Sequence, residues 1–203
     1  MTLLHTKIQN IINRIPASVY AYLSVIVGLI GDLLAMILFP DFNINYMISA
    51  LGTGPGGIFF NIGLILSGLF ALVFYRYLAQ VIKTISEQKK LKKFASVSAI
   101  TSCILFSLIG IFPAIVELNL IATLHGLIAA LCWITAAIYL IAFGILFLRS
   151  SNFLKIHGVL SFATAALFLI LLLTWTPIME WITTFTFIFW FTIIASYTIT
   201  NKF

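Results

Sequence analysis

Apolar residues run through this chain in six long blocks, about 19–39, 58–82, 94–112, 121–148, 153–175 and 182–200. A helix needs about 20 apolar residues to cross the roughly 30 Å hydrocarbon core of a bilayer, and each block is close to that length or longer. None alternates with the two-residue period of a barrel strand. A backbone in lipid must satisfy its own hydrogen bonds, so the pattern predicts helices. The blocks have clear ends. Pro40, Pro113 and Pro177 close the first, third and fifth, Arg149 closes the fourth, and the run from Lys83 to Lys93 closes the second.

The first fifteen residues follow a different pattern. Leu4, Ile8, Ile11, Ile12 and Ile15 recur at helical spacing, with Lys7, Asn10, Asn13 and Arg14 on other faces. Residues 1–18 therefore read as an amphipathic interfacial segment, the alternative being a frayed tail. Pro16 would end it, and Ser18 is placed to cap the next helix. The expected fold is all-α: a polytopic membrane bundle of six transmembrane helices over residues 19–203, preceded by that segment.

Composition agrees. Of 203 residues, 63% are hydrophobic and 8% charged, against roughly 25% charged in a soluble domain. A water-soluble fold is excluded, and the length leaves no room for a separate soluble domain. Cys103 and Cys132 both lie inside apolar blocks and read as small core residues, not as a disulfide. The first block has no small-residue cleavage site after it, so it reads as a retained span.

Charge placement adds orientation. The amino terminus holds Lys7 and Arg14, the second connection Lys83, Lys89, Lys90, Lys92 and Lys93, the fourth Arg149 and Lys155, and the tail Lys202. The first, third and fifth connections hold Asp41, Glu117 and Glu180 and no base. Positive charge stays on the cytoplasmic side, so the protein is expected to be a multi-pass protein of the cell membrane with both termini in the cytoplasm. The net charge of +6 is then a set of helix flanks and gives no reason to expect nucleic acid. Arg76 would snorkel to the headgroups, and the lysines would attract anionic lipid. Trp175 and Trp181 read as interfacial anchors at the other surface. Gly63, Ser67 and Ala71, and likewise Ala122, Gly126 and Ala130, are spaced to let helices approach closely.

Few residues carry chemistry. Asp32 lies about seven residues inside the first block, roughly 10 Å deep at 1.5 Å per residue. An ionisable group there must face the bundle or a wet cavity. Ser24 and Gly28 share its helical face. Asp32 reads either as a proton, metal or catalytic site or as a buried acid hydrogen-bonded to a neighbouring helix. His125 enters the fourth block on a face that continues through Ala129, Cys132, Ala136 and Tyr139. Asp32, Asn61 and His125 are at similar depth and form a candidate polar cluster, with Glu117 and Glu180 in adjacent outer loops. A zinc site needs three or four protein ligands, so metal is the lesser reading. His157 lies a leaflet away from His125, which excludes a haem held between them, and no cofactor is expected. The glycine-rich run from Gly52 to Gly57 predicts an irregular path. Its amides would either hold an anion or pack over the bundle mouth; it lacks the Lys-Ser/Thr ending of a nucleotide loop.

The segment Ile48-Ser49-x-Leu51-Gly52, with Phe59-x-Asn61 and Gly63-Leu64-Ile65-Leu66-Ser67-Gly68, resembles the hallmark of a six-span prokaryotic, mainly archaeal, membrane family of unknown function. Phe112-Pro113 followed by His125 resembles its second hallmark. The layout is more distantly similar to Frag/DRAM/Sfk-type six-span proteins. The resemblance implies a six-helix bundle with an extracytoplasmic polar site and no assigned reaction, and it picks out Ser49, Gly52, Asn61 and His125. This chain departs from it at Ala50, where an acid often stands.

The ligand-binding candidates are therefore Asp32, Ser49, Gly52, Asn61, His125, Glu117 and Glu180. The function expected is binding of a lipid or small ligand, or a structural subunit role. The partners are membrane lipid and, in the subunit case, other membrane polypeptides. The alternatives are an intramembrane enzyme acting on a lipid or isoprenoid through Asp32 and His125, and a proton-coupled transporter using Asp32. The absence of a sequence repeat between the halves counts against transport.

Overall fold

The computed structural model describes residues 16–85, 88–115 and 119–201. The proposed interfacial segment, apart from its last three residues, and Glu117 lie outside these. The six long helices are α1 (Val19–Ile37), α2 (Gly57–Ile85), α3 (Lys89–Ile111), α4 (Asn119–Arg149), α5 (Lys155–Thr174) and α6 (Pro177–Thr200). All six are long and apolar enough to cross a membrane, and no strand occurs among the described residues. The protein is an integral membrane protein built as a six-helix bundle.

Helix ends differ from the sequence reading where polar residues dilute the apolar pattern. α3 takes in the lysines from Lys89 onward, and α6 begins at Pro177 instead of near 182. Proline at the first helical position has no amide to leave unpaired, so Pro177 opens α6 and does not merely close α5. Glu180 consequently sits on the first turn of α6, not in a loop. Ser18 occupies the N-cap of α1 but its side chain makes no capping bond.

Short connections make successive helices antiparallel. Each packs on its chain neighbours, and α6 returns to α1 to close a ring. The first, third and fifth connections gather at one end, here the loop end; the second and fourth lie at the basic end. α1 is clamped to α2. A Cβ on Gly31 would lie 2.7 Å from the Phe59 carbonyl oxygen and 3.0 Å from the Gly63 Cα. Close approach of this kind is what small residues permit in lipid. The Ser24 hydroxyl adds a 2.9 Å bond to the Ser67 carbonyl across the same interface. The second small-residue stripe behaves differently: a Cβ on Gly126 would meet nothing within 4 Å.

Two apolar clusters fill the ring. One, toward the basic end, includes Phe74, Leu78, Leu140, Phe143, Phe147 and Phe191. The other, at the loop end, includes Leu51, Phe60, Ile128, Trp133 and Leu171. Leu33, Ile37, Leu120 and Leu173 point outward and are exposed. In water that much apolar surface would aggregate; in a bilayer it is the lipid face.

The first connection folds back over the bundle. Residues Ile48–Thr53 form a 3₁₀ helix with Ile48, Leu51 and Gly52 buried. The glycines here serve close approach, since none has positive φ. A Cβ on Gly56 would lie 2.6 Å from the Ala35 Cα, and one on Gly57 would lie against the Gly52 carbonyl oxygen. The amides of Gly54, Gly57 and Phe59 donate to backbone carbonyls. Those groups are spent within the fold, which favours loop packing over anion binding.

Candidate functional site

A cavity of about 400 Å³ lies inside the ring, within the roughly 300–1,000 Å³ range of ligand pockets. Its wall runs along α2 from Phe60 to Tyr75, about 22 Å at 1.5 Å per residue. It is mostly apolar. Its acids and its histidine collect at the loop end, where Asp32, His125 and Glu180 contribute to the wall with Ser49. The spacing on α1 placed Ser24, Gly28 and Asp32 on one face, and all three line the cavity. So does the α4 face of His125, Ala129, Cys132, Ala136 and Tyr139.

Glu180 is the best-connected of these groups. Its carboxylate accepts the Ile48 amide at 2.5 Å and is further stabilised by the neighbouring Ser49. The amide at the start of the 3₁₀ helix is thus capped by an acid from α6, the arrangement that suits the positive end of a helix. Trp181 adds a bond from its indole N–H to the Tyr46 carbonyl at 3.1 Å. Trp181 is therefore more than an interfacial anchor, because it ties the first connection to α6.

His125 is held by the end of α3. Its Nδ1 is 2.8 Å from the Phe112 carbonyl oxygen. A carbonyl can only accept, so Nδ1 carries the proton, and in the neutral ring Nε2 is left as an acceptor. Asp32 is the contrast: it has no hydrogen-bond partner among the described residues. No described residue supplies the bond that the reading of Asp32 as an acid held by a neighbouring helix requires.

Asn61 and Gly52 have a different place. Asn61 Nδ2 donates to the Gly52 carbonyl at 3.1 Å, and neither residue lines the cavity. A Cβ on Gly52 would lie 2.8 Å from Asn61 Oδ1. Together they seat the 3₁₀ helix on α2. The predicted cluster of Asp32, Asn61 and His125 thus divides into two cavity residues and one residue that holds the loop.

Other features escaped the sequence reading. Tyr75, next to Arg76 in the sequence, is buried, and its hydroxyl donates to that of Tyr139 at 2.9 Å, forming the cavity floor. Cys103 and Cys132 are free thiols on the cavity wall, and the Cys132 Sγ lies 3.6 Å from the Ser102 carbonyl. Trp175, expected as an anchor, borders the cavity and packs on Trp133 with ring centroids 4.6 Å apart. It has φ 49°, a costly conformation for a bulky residue, as it ends α5. The face of Tyr139 was legible from His125; nothing in the sequence told Tyr75 from Tyr77. His157 is buried among Phe147, Phe153 and Tyr197, away from the cavity.

No group of three or more His, Cys, Asp or Glu able to hold a metal ion occurs among the described residues. The cavity wall carries two acids and no lysine or arginine. No protein-family model, curated protein or solved structure matches the chain.

Proposed function

We propose that the cavity binds a single-chain membrane amphiphile, with its tail toward Tyr75 and Tyr139 and its head at Asp32. The observation that carries this reading is Asp32 itself: a carboxyl with no hydrogen-bond partner among the described residues, at the acidic end of a long apolar cavity. A carboxyl in lipid is costly unless it meets a partner, so an unpartnered one implies a group that arrives from outside the chain. The head should be cationic or a hydrogen-bond donor. The wall offers no lysine or arginine to hold a phosphate or sulfate, and Glu180 is already engaged by the 3₁₀ helix. His125 Nε2 and the Ser49 hydroxyl are further polar groups for an amino or hydroxyl head.

We further propose that the loop end faces away from the cytoplasm, since the lysines and arginines flank the other end. The resemblance to the six-span family implies a polar site on that same side.

Titration of the purified protein with a long-chain primary alkylamine, against an alkyl sulfate of equal chain length, tests this. Saturable one-to-one binding of the amine, at least about tenfold tighter than the sulfate (about 1.4 kcal/mol), is expected. Equal binding of the two, or none, contradicts it.

A further inference from the structure

We infer that the cavity is loaded sideways from the bilayer, through a window between α1 and α6; this rests on the amphiphile reading above. The seam between these helices is closed at both ends and open in the middle. Toward the basic end, the Tyr22 hydroxyl is 2.7 Å from the Ser196 hydroxyl. At the loop end, Glu180 holds Ile48 and Trp181 holds the Tyr46 carbonyl. Between these staples no hydrogen bond joins α1 to α6 among the described residues.

A second cavity of about 260 Å³ occupies that gap. Its α1 side is Leu29, Asp32, Leu33 and Met36, and its α6 side runs from Trp181 to Ile188. Leu33 and Phe185, on its rim, are 58% and 54% exposed, so it opens on the lipid face. Leu29, Asp32, Ile48, Thr184 and Ile188 belong to both cavities. The groove and the interior chamber are thus separated by one layer of side chains, and Asp32 is the ionisable member of it.

The remaining packing fits this route. The 3₁₀ helix covers the loop end of the chamber, with its own Leu51 wholly buried. α1 is held rigidly on its other side by Gly31, Gly63 and the Ser24–Ser67 bond. The α1–α6 seam is therefore where side chains can separate without breaking a backbone contact. An apolar tail passes between Leu29, Leu33, Phe185 and Ile188, and the head follows the lipid surface to Asp32.

The test uses vesicles containing the full chain and a fluorescent long-chain alkylamine. Leu33→Cys and Phe185→Cys are bridged by a bifunctional maleimide in a Cys103→Ala/Cys132→Ala background, and Thr184→Trp narrows the shared wall without cysteines. Bridging should slow both loading and release at least about tenfold while affinity stays within about twofold, because a blocked path changes rates and not the bound state. Thr184→Trp should slow loading in the same direction. Unchanged rates in both forms overturn the window and leave the binding reading standing. Absence of alkylamine binding in the unbridged and unsubstituted chains overturns both.

Discussion

Glu180, on the first turn of α6, accepts the backbone amide of Ile48 at 2.5 Å from a position 132 residues later in the chain. This contact pins the 3₁₀ helix over the cavity, whose wall includes both Ser49 and Asp32. One carboxylate thereby joins two stretches that lie far apart in the sequence.

Removing that carboxylate should free the segment. Glu180→Ala leaves the buried amide of Ile48 without its acceptor, and an unsatisfied buried donor costs about 1–3 kcal/mol. Leu51→Cys should resist a water-soluble maleimide in the parent chain and react readily when Glu180→Ala is added. Ser49→Ala should have a smaller effect, and the double variant should be less than additive because both act on one contact. Unaltered Leu51→Cys labelling in Glu180→Ala would show that the loop is held by other means.

The two glycine stripes should respond oppositely. Gly31→Val drives a side chain into the Phe59 carbonyl and Gly63, where overpacking costs about 1–3 kcal/mol. Gly126→Ala meets open space and gains up to about 1 kcal/mol of helix propensity. Thermal unfolding in detergent should fall for the first and hold or rise for the second. A large loss for Gly126→Ala would mean that this face packs on a partner.

Asp32 separates binding from stability. With no hydrogen bond to lose among the described residues, Asp32→Leu should raise the unfolding temperature, by less than the about 2.5–3.5 kcal/mol that a charge costs at the centre of a membrane helix. The same variant should lose alkylamine binding. A drop in stability would identify Asp32 as a structural acid.

Much of this architecture was legible in the sequence because lipid imposes a simple rule. Apolar block length located six helices, and the basic flanks sorted the connections into two groups. The helical faces of Asp32 and His125 were also readable, since a polar group in a span must turn inward. What could not be read was which faces meet. Helix order in the ring depends on contacts such as Gly31 with Gly63, whose partners are not marked in either segment. Glu180 reads as a loop residue because its own charge and the preceding Thr-Pro interrupt the apolar pattern, although proline at the first position starts a helix well. Gly126 matched a packing stripe by spacing alone, and spacing does not say whether a neighbour is there.

Orientation has its own test. Thr53 at the loop end and Ser151 at the basic end are both exposed, so cysteines there report on opposite surfaces. Thr53→Cys should react with an impermeant maleimide on intact cells, and Ser151→Cys only after the cells are opened. The reverse pattern would place the polar end of the cavity in the cytoplasm.

The most direct test of the central claim is native mass spectrometry of the protein extracted gently from its own membrane, beside Asp32→Asn treated identically. The account predicts one retained amphiphile of defined mass on the parent chain, bearing an amino or hydroxyl head, and its loss from Asp32→Asn. A parent chain that flies bare, or an adduct held equally well by Asp32→Asn, would contradict it.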